Sequence, residues 1–190
     1  KINILSEKIR ENYSKDLETE IINEISLFKQ KYPESKYIKF LDGISRTLNL
    51  RIGQPIVEYL TKDTGGRDFS FEEYKGKVLL LDFWASWCGP CVSEMPNVIA
   101  AYEKYNSEGF EIVGVSLDNK LESMNKFIED KQIPWRQIAD GKGWDSDFAK
   151  YYNIRSIPAT FLIDRKGIIR YMNLRGPALA TAVEELLKEK

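Results

Sequence analysis

The chain has 190 residues, 43% hydrophobic and 30% charged, a balance that fits one folded domain with an appendage and excludes a disordered chain. Its 28 basic and 29 acidic residues leave a net charge of −1, so neither nucleic acid nor a membrane surface is an expected partner. There is no histidine, which excludes a Cys–His or Ser–His catalytic pair and a histidine-bound metal.

No apolar run approaches the roughly 18 residues of a bilayer span. The chain starts at Lys1 rather than Met and reads as a trimmed or mature fragment, which leaves targeting open. Residues 1–50 read as a helical segment, an appendage or the remnant of an upstream domain, and 51–190 as the main domain. Ile4, Leu5 and Ile9 make a short apolar face; Leu17, Ile21, Ile22, Ile25 and Phe28 recur at helical spacing behind a candidate N-cap, Ser14. Tyr32-Pro33 stops that helix. A third, capped by Ser35, runs through Tyr37, Phe40, Leu41, Ile44 and Leu48. This segment is a packing appendage or a docking surface.

Ile52-Gly53-Gln54-Pro55 reads as a junction, Ile56 to Leu60 as a short strand and Asp63 to Arg67 as a turn. Ser70 with Glu73 fits a capping box for a short helix that Gly76 ends. Val78 to Phe83 is a short apolar run with one acid, Asp82, and predicts a buried strand. Val92 to Tyr105 predicts an amphipathic helix. Between them lie the only two cysteines, Cys88 and Cys91, in Trp87-Cys88-Gly89-Pro90-Cys91.

That position carries chemistry. The first-turn amides of a helix are unpaired and, with the helix dipole, favour negative charge. A thiol there ionises more easily, and the thiolate is the reactive form. Cys88, ahead of the helix, is expected to be the exposed nucleophile and Cys91, one turn in, its shielded partner. Pro90 suits the first turn because its missing donor would be unpaired there. A structural disulfide or half a metal site is the competing reading of C-x-x-C, and two cysteines alone cannot complete a four-thiolate zinc site.

Further on, Phe110 to Leu117 is a strand, Leu121 to Lys131 a helix, the stretch to Ile138 a short strand, and Asp145 to Tyr151 a short helix. Ala159 to Ile163 is a strand, Asp164 to Gly167 a hairpin turn, Ile168 to Asn173 the returning strand, and Gly176-Pro177 opens a last helix. The order predicts an α/β fold: a mixed sheet with helices on both faces and the C-x-x-C at a strand's carboxyl end.

Leu81 to Cys91 resembles the active-site segment of the thioredoxin superfamily, and Ser156 to Ile163 resembles that family's proline loop and following strand. The separation of the two exceeds that of a minimal thioredoxin. The surplus, near Asn119 to Trp144, is similar to the αβ insertion of the TlpA/ResA-like branch, whose members are extracytoplasmic thiol–disulfide oxidoreductases, often membrane-tethered. The resemblance covers roughly Ile52 to Lys190 and implies a thioredoxin-like fold.

It also implies roles. Cys88 matches the nucleophile and Cys91 the resolving cysteine. Pro158 matches a proline whose preceding peptide bond is cis, leaving the Ile157 backbone to pair with an extended substrate. Trp87, Gly89 and Pro90 would line that substrate site, with Trp84 packed beneath. Asp82 matches an acid that relays a proton to the resolving cysteine; its lysine partner in thioredoxins is replaced here by Gly114. Glu94 matches a glutamate of the TlpA/ResA-like branch, and Gly176 a glycine that lets substrate backbone come close.

The expected function is thiol–disulfide exchange, in the reducing direction because Gly89-Pro90 resembles reducing members, with no metal or organic cofactor. The expected partners are disulfide-bearing proteins and an upstream dithiol donor, in the periplasm or tethered in the envelope. Two rivals are a peroxiredoxin-type peroxidase, which wants a threonine- and arginine-containing pocket that the sequence does not display, and a non-enzymatic binding module.

Overall fold

Val78–Trp84 forms a strand in which every side chain is buried. A run without alternation needs cover on both faces. In the computed structural model, which describes residues 15–189, this strand is the middle of a five-stranded sheet. The strands are β1 (Thr61–Lys62), β2 (Asp68–Phe69), β3 (Val78–Trp84), β4 (Phe110–Ser116), β5 (Arg136–Ile138), β6 (Ala159–Ile163) and β7 (Ile169–Met172). The helices are α1 (Lys15–Lys31), α2 (Ile38–Asn49), α3 (Gly89–Tyr105), α4 (Leu121–Lys131), α5 (Asp147–Tyr151) and α6 (Pro177–Lys188).

The sheet order is β5-β4-β3-β6-β7, with β3, β4 and β5 mutually parallel and β6 and β7 antiparallel to their neighbours. In the stretch read as an insertion, helix α4 leads into strand β5, which extends the sheet at one edge. Side chains alternate across a strand, so Phe83 faces one way and Asp82 and Trp84 the other. Phe83 meets Phe148 of α5 edge-on at 5.7 Å, and Phe69 and Phe71 join that aromatic cluster. Trp84 meets Phe127 of α4 at 5.3 Å, and α3 packs against α6.

Strand β6 and helix α4 fall where the sequence predicts them. Ser70 and Glu73 form the expected capping box, on a single 3-10 turn, Phe71–Tyr74. Three expectations for elements after residue 50 need correction. Ile56 to Leu60 is not a strand: pairing falls earlier, where Gly53 and Ile56 donate to the carbonyls of Ile169 and Gly167, and later, in β1. The intervening segment is held by side chains, with Tyr59 stacked on Phe148 at 4.3 Å and the Tyr152 hydroxyl donating to the Val57 carbonyl. Helix α3 begins at Gly89 rather than Val92 because Cys88 caps it, and it continues through Pro96. Helix α5 begins at Asp147, where the Ser146 hydroxyl caps it after a 3-10 turn, Gly143–Asp145.

The β1–β2 hairpin is fastened by a buried carboxylate. Asp63 accepts the amides of Gly65 and Arg67 at 2.9 Å each and the side chains of Arg67 and Arg136 at 3.0 and 2.7 Å. Burial pushes Asp63 up, but these hydrogen bonds outweigh it and hold its carboxyl at about 2.

The chain divides into two units, Lys1–Leu48 and Asn49–Lys190. In the first, Ile21, Ile25, Leu41 and Leu48 are buried together, and Lys29 pairs with Asp42 at 2.5 Å. Tyr37 and Phe40 are exposed, contrary to expectation: Tyr37 precedes α2, and the buried stripe follows 41, 44 and 48. Ser35 accepts the Tyr37 amide at 3.3 Å, but Tyr37 lies ahead of α2 and its carbonyl takes the Leu41 amide, so Ser35 is not the N-cap. Ile4, Leu5, Ile9, Ser14 and the Leu17 side chain lie outside the described residues. Among the described residues no helix is long and apolar enough to cross a membrane.

Candidate active site

The Cys88 residue is the N-cap of α3, with extended backbone, φ −83° and ψ 99°. Its carbonyl accepts the Val92 amide at 2.9 Å, the first bond of the helix. Its sulfur accepts the Cys91 amide at 3.2 Å. That amide is one of the orphan donors of a helix start, here aimed at Cys88 Sγ. Pro90 occupies a position whose donor would be unpaired.

The connection from β3 to Cys88 is fixed by an acid at the end of the neighbouring strand. Asp118 is buried and accepts the Ser86 amide at 2.9 Å, the Ser86 hydroxyl at 2.5 Å and the Ser116 hydroxyl at 2.8 Å. Cys88 and Cys91 are joined by a disulfide, Sγ–Sγ 2.05 Å and Cα–Cα 5.2 Å. Both are buried, Cys88 at 5% exposure. The expectation of an exposed Cys88 therefore fails for the oxidised pair: its sulfur is bonded inward to Cys91, and Trp87, Gly89 and Pro90 are what solvent meets.

Behind Cys91 is a small pocket lined by Asp82, Glu94, Pro158, Thr160 and Arg175 and closed by Val98, Leu174 and Leu179. Asp82 is buried on β3. Burial pushes its carboxyl up to about 7; the charge of Arg175 opposes that rise and the charge of Glu94 adds to it. In the sheet Asp82 stands opposite Gly114, so β4 brings no cation. The space above Gly114 holds the amide of Gln137, whose oxygen accepts the Trp84 indole N–H at 3.0 Å. Trp84 is thus core held by a polar tether. The cation comes instead from the loop before α6: Arg175 donates to the carbonyls of Leu174, at 2.8 Å, and Pro158.

Two more singled-out residues meet here. Glu94, one turn after Cys91, accepts the Gly176 amide at 2.5 Å. Gly176 has φ +54° and ψ −141° and starts α6, a backbone that disfavours any side chain. The Ile157–Pro158 peptide, whose proline also lines the pocket, is cis, and Ile157 lies just outside β6.

Sequence reasoning missed Arg175, Thr160, Gln137, Asp118 and Trp144. Asp118 sits just past a strand's carboxyl end, and Arg175 precedes a glycine already marked, so a signal existed for both. It also found no threonine- and arginine-containing pocket; the fold makes one, from Thr160 and Arg175, beside Cys91 rather than Cys88. Among the described residues no cluster of Cys, Asp and Glu is arranged to hold a metal.

Comparison with known proteins agrees with this geometry. Sporulation thiol-disulfide oxidoreductase A of Bacillus subtilis is 33% identical over 141 residues, 72% of this chain and 82% of that one. The thiol-disulfide oxidoreductase ResA of Bacillus cereus is 28% identical over 145 residues, 76% of this chain and 82% of that one. The thioredoxin domain of a thiol-disulfide oxidoreductase from Bacteroides vulgatus superposes with a TM-score of 0.66 at 32% identity, covering 73% of this chain and 99% of that one. A thiol:disulfide interchange protein from a Bacteroides species gives 0.65 at 31%, covering 74% and 93%. A disulfide at a helix start, beside a cis-proline loop in this sheet, defines a thioredoxin-like thiol–disulfide oxidoreductase, and that is the enzyme class here. The sequence pattern of the AhpC/TSA family matches residues 52–172, and the chain belongs to that family.

Proposed function

We propose that this enzyme reduces disulfides of protein substrates in the cell envelope. The Cys88 thiolate attacks one sulfur of a substrate disulfide; a mixed disulfide forms, and the departing substrate thiolate takes a proton. Cys91 then gives its proton to Asp82, across the pocket they share, and its thiolate attacks Cys88 Sγ. The second substrate sulfur leaves and is protonated. Two electrons pass to the substrate, and the Cys88–Cys91 disulfide is left for an upstream dithiol donor to reduce. Glu94 biases Asp82 toward its protonated form, and Ile157, Pro158, Trp87, Gly89, Pro90 and Gly176 border the approach of an extended substrate. The exchange needs no metal or organic cofactor.

The observation that carries this reading is the Cys91 amide directed at Cys88 Sγ, 3.2 Å away, because a donor there stabilises a thiolate. The envelope location is supported by the resemblance to the TlpA/ResA-like branch, and the reducing direction by Gly89-Pro90. The test is titration of Cys88 in the reduced enzyme with insulin reduction alongside. A thiol no more acidic than free cysteine, about 8.5, with insulin left intact, would overturn it. A potential near about −120 mV would reverse the direction.

Thr160 and Arg175 beside Cys91 favour a second reading, peroxide reduction at that sulfur. The thiolate would take one peroxide oxygen as a sulfenate, releasing an alcohol or water, and Cys88 would close the disulfide. Peroxide consumption by the Cys88→Ser variant supports it; none refutes it.

A further inference from the structure

The chain has four tryptophans. Trp84 and Trp135 are buried, whereas Trp87 and Trp144 are 54% and 48% exposed. The two exposed indoles touch, their ring centroids 6.3 Å apart and tilted by 56°. One of them immediately precedes Cys88. An exposed indole forgoes a large burial gain, and these two lie together at the one place where a substrate sulfur must arrive.

Trp144 is presented rather than stranded. It stands on the turn Gly143–Asp145, which is tied down on every side. Asp140 accepts the amides of Lys142 and Asp147 at 3.0 and 2.9 Å. Ser146 donates its amide to the Gly143 carbonyl at 3.0 Å. Gly143 has φ +57° and sits so close to Asn119 that a Cβ would lie 1.7 Å from Asn119 Oδ1. A turn so constrained, with an aromatic tip left in solvent, holds that tip for a contact. The nearby cations are already satisfied: Lys142 pairs with Asp147 at 2.5 Å and Lys150 with Asp145 at 2.7 Å. The patch therefore offers apolar ring faces and no free charge from its turn.

We propose that Trp144 is a specificity-determining residue that, with Trp87, receives an apolar side chain next to the attacked cysteine of a polypeptide substrate. The preferred substrates are then disulfides flanked by leucine-like or aromatic residues, not by acidic or small polar ones. This rests on the reading that protein disulfides are reduced at Cys88. Trp87 directly precedes Cys88 in the chain and Trp144 lies against it, so a residue beside the attacked cysteine of a substrate meets the pair.

The test uses two oxidised peptides that differ only in the residue beside one cysteine, leucine or serine, together with 2-hydroxyethyl disulfide. Wild-type enzyme is expected to favour the leucine peptide. Trp144→Ala should raise its KM about tenfold with kcat unchanged, a loss the size of one buried apolar contact. The serine peptide and the small disulfide should be unaffected, and Trp144→Phe should recover most of the loss. Equal losses on all three substrates would mean a structural role and overturn the proposal, as would an unchanged leucine-peptide KM. If wild-type enzyme reduces the small disulfide but neither peptide, the protein-substrate reading fails, and the proposal with it.

Discussion

The Glu94 carboxylate accepts the Gly176 amide at 2.5 Å, across 82 residues of chain. It ties the first turns of α3, which carry the cysteines, to the start of α6, and it leaves a negative charge facing Asp82. The two effects are separable. Glu94→Gln keeps an acceptor for Gly176 and removes the charge that pushes Asp82 up. Asp82 is then expected to titrate below its wild-type value of about 7. The 13C shift of its carboxyl carbon against pH measures this. Glu94→Ala should show the same shift and lose about 1 kcal/mol of stability as well.

Arg175→Met should move the same titration the other way. The Arg175 charge opposes the rise of Asp82, so its removal should carry Asp82 above about 7. Arg175→Lys restores the charge without the fork that reaches both the Leu174 and Pro158 carbonyls. It should return the titration toward wild type while leaving the loop before α6 less protected from hydrogen exchange. Coincident titrations in Glu94→Gln and Arg175→Met would sink this electrostatic account.

Asp82 should cost the fold stability at neutral pH. Its carboxyl titrates near 3.8 when unperturbed and at about 7 in the folded chain. Below about pH 4 both states are protonated and folding is unpenalised. As pH rises toward 7 the unfolded chain ionises first, so stability falls, by about 4 kcal/mol across the window. Asp82→Asn does not ionise. Urea unfolding of the oxidised proteins should show little difference near pH 4 and a variant more stable by several kcal/mol near pH 8.

Gly114→Ala should damage the enzyme from outside the pocket. A Cβ there would lie 2.1 Å from Gln137 Oε1, forcing the amide off Trp84. The expected loss is about 1–3 kcal/mol, with the freed indole N–H buried. Gln137→Ala in the same chain makes room, so the double variant should lose less than the sum of the singles in a denaturant cycle.

The cysteine helix was legible in the sequence because its causes are local. The cap by Cys88, which starts the helix at Gly89, was not read, but an apolar run of strand length, a proline suited to a first turn and a helical period lie within about 30 residues, and each acts over a few bonds. The same holds for the Ser70–Glu73 capping box, for α4 and for the β6 hairpin. Even the pairing of Asp82 with Gly114 could be read, through the resemblance. The failures were also physical. Ile56 to Leu60 is apolar enough for a strand, but Tyr59 stacks on Phe148 and the Val57 carbonyl accepts the Tyr152 hydroxyl in place of a ladder bond.

The sequence by itself determined that two thiols stand at a helix start after a buried strand, and hence that thiol chemistry is the business of this chain. Only the tertiary structure decided what surrounds them: Arg175 rather than a strand residue as the cation near Asp82, Glu94 bound to Gly176, Trp144 against Trp87, and Cys88 turned inward. Hydrogen-bonded turns and side-chain periods act between near neighbours in the chain. Charges and ring faces act through space, and their partners are chosen by which strands the crossovers set side by side.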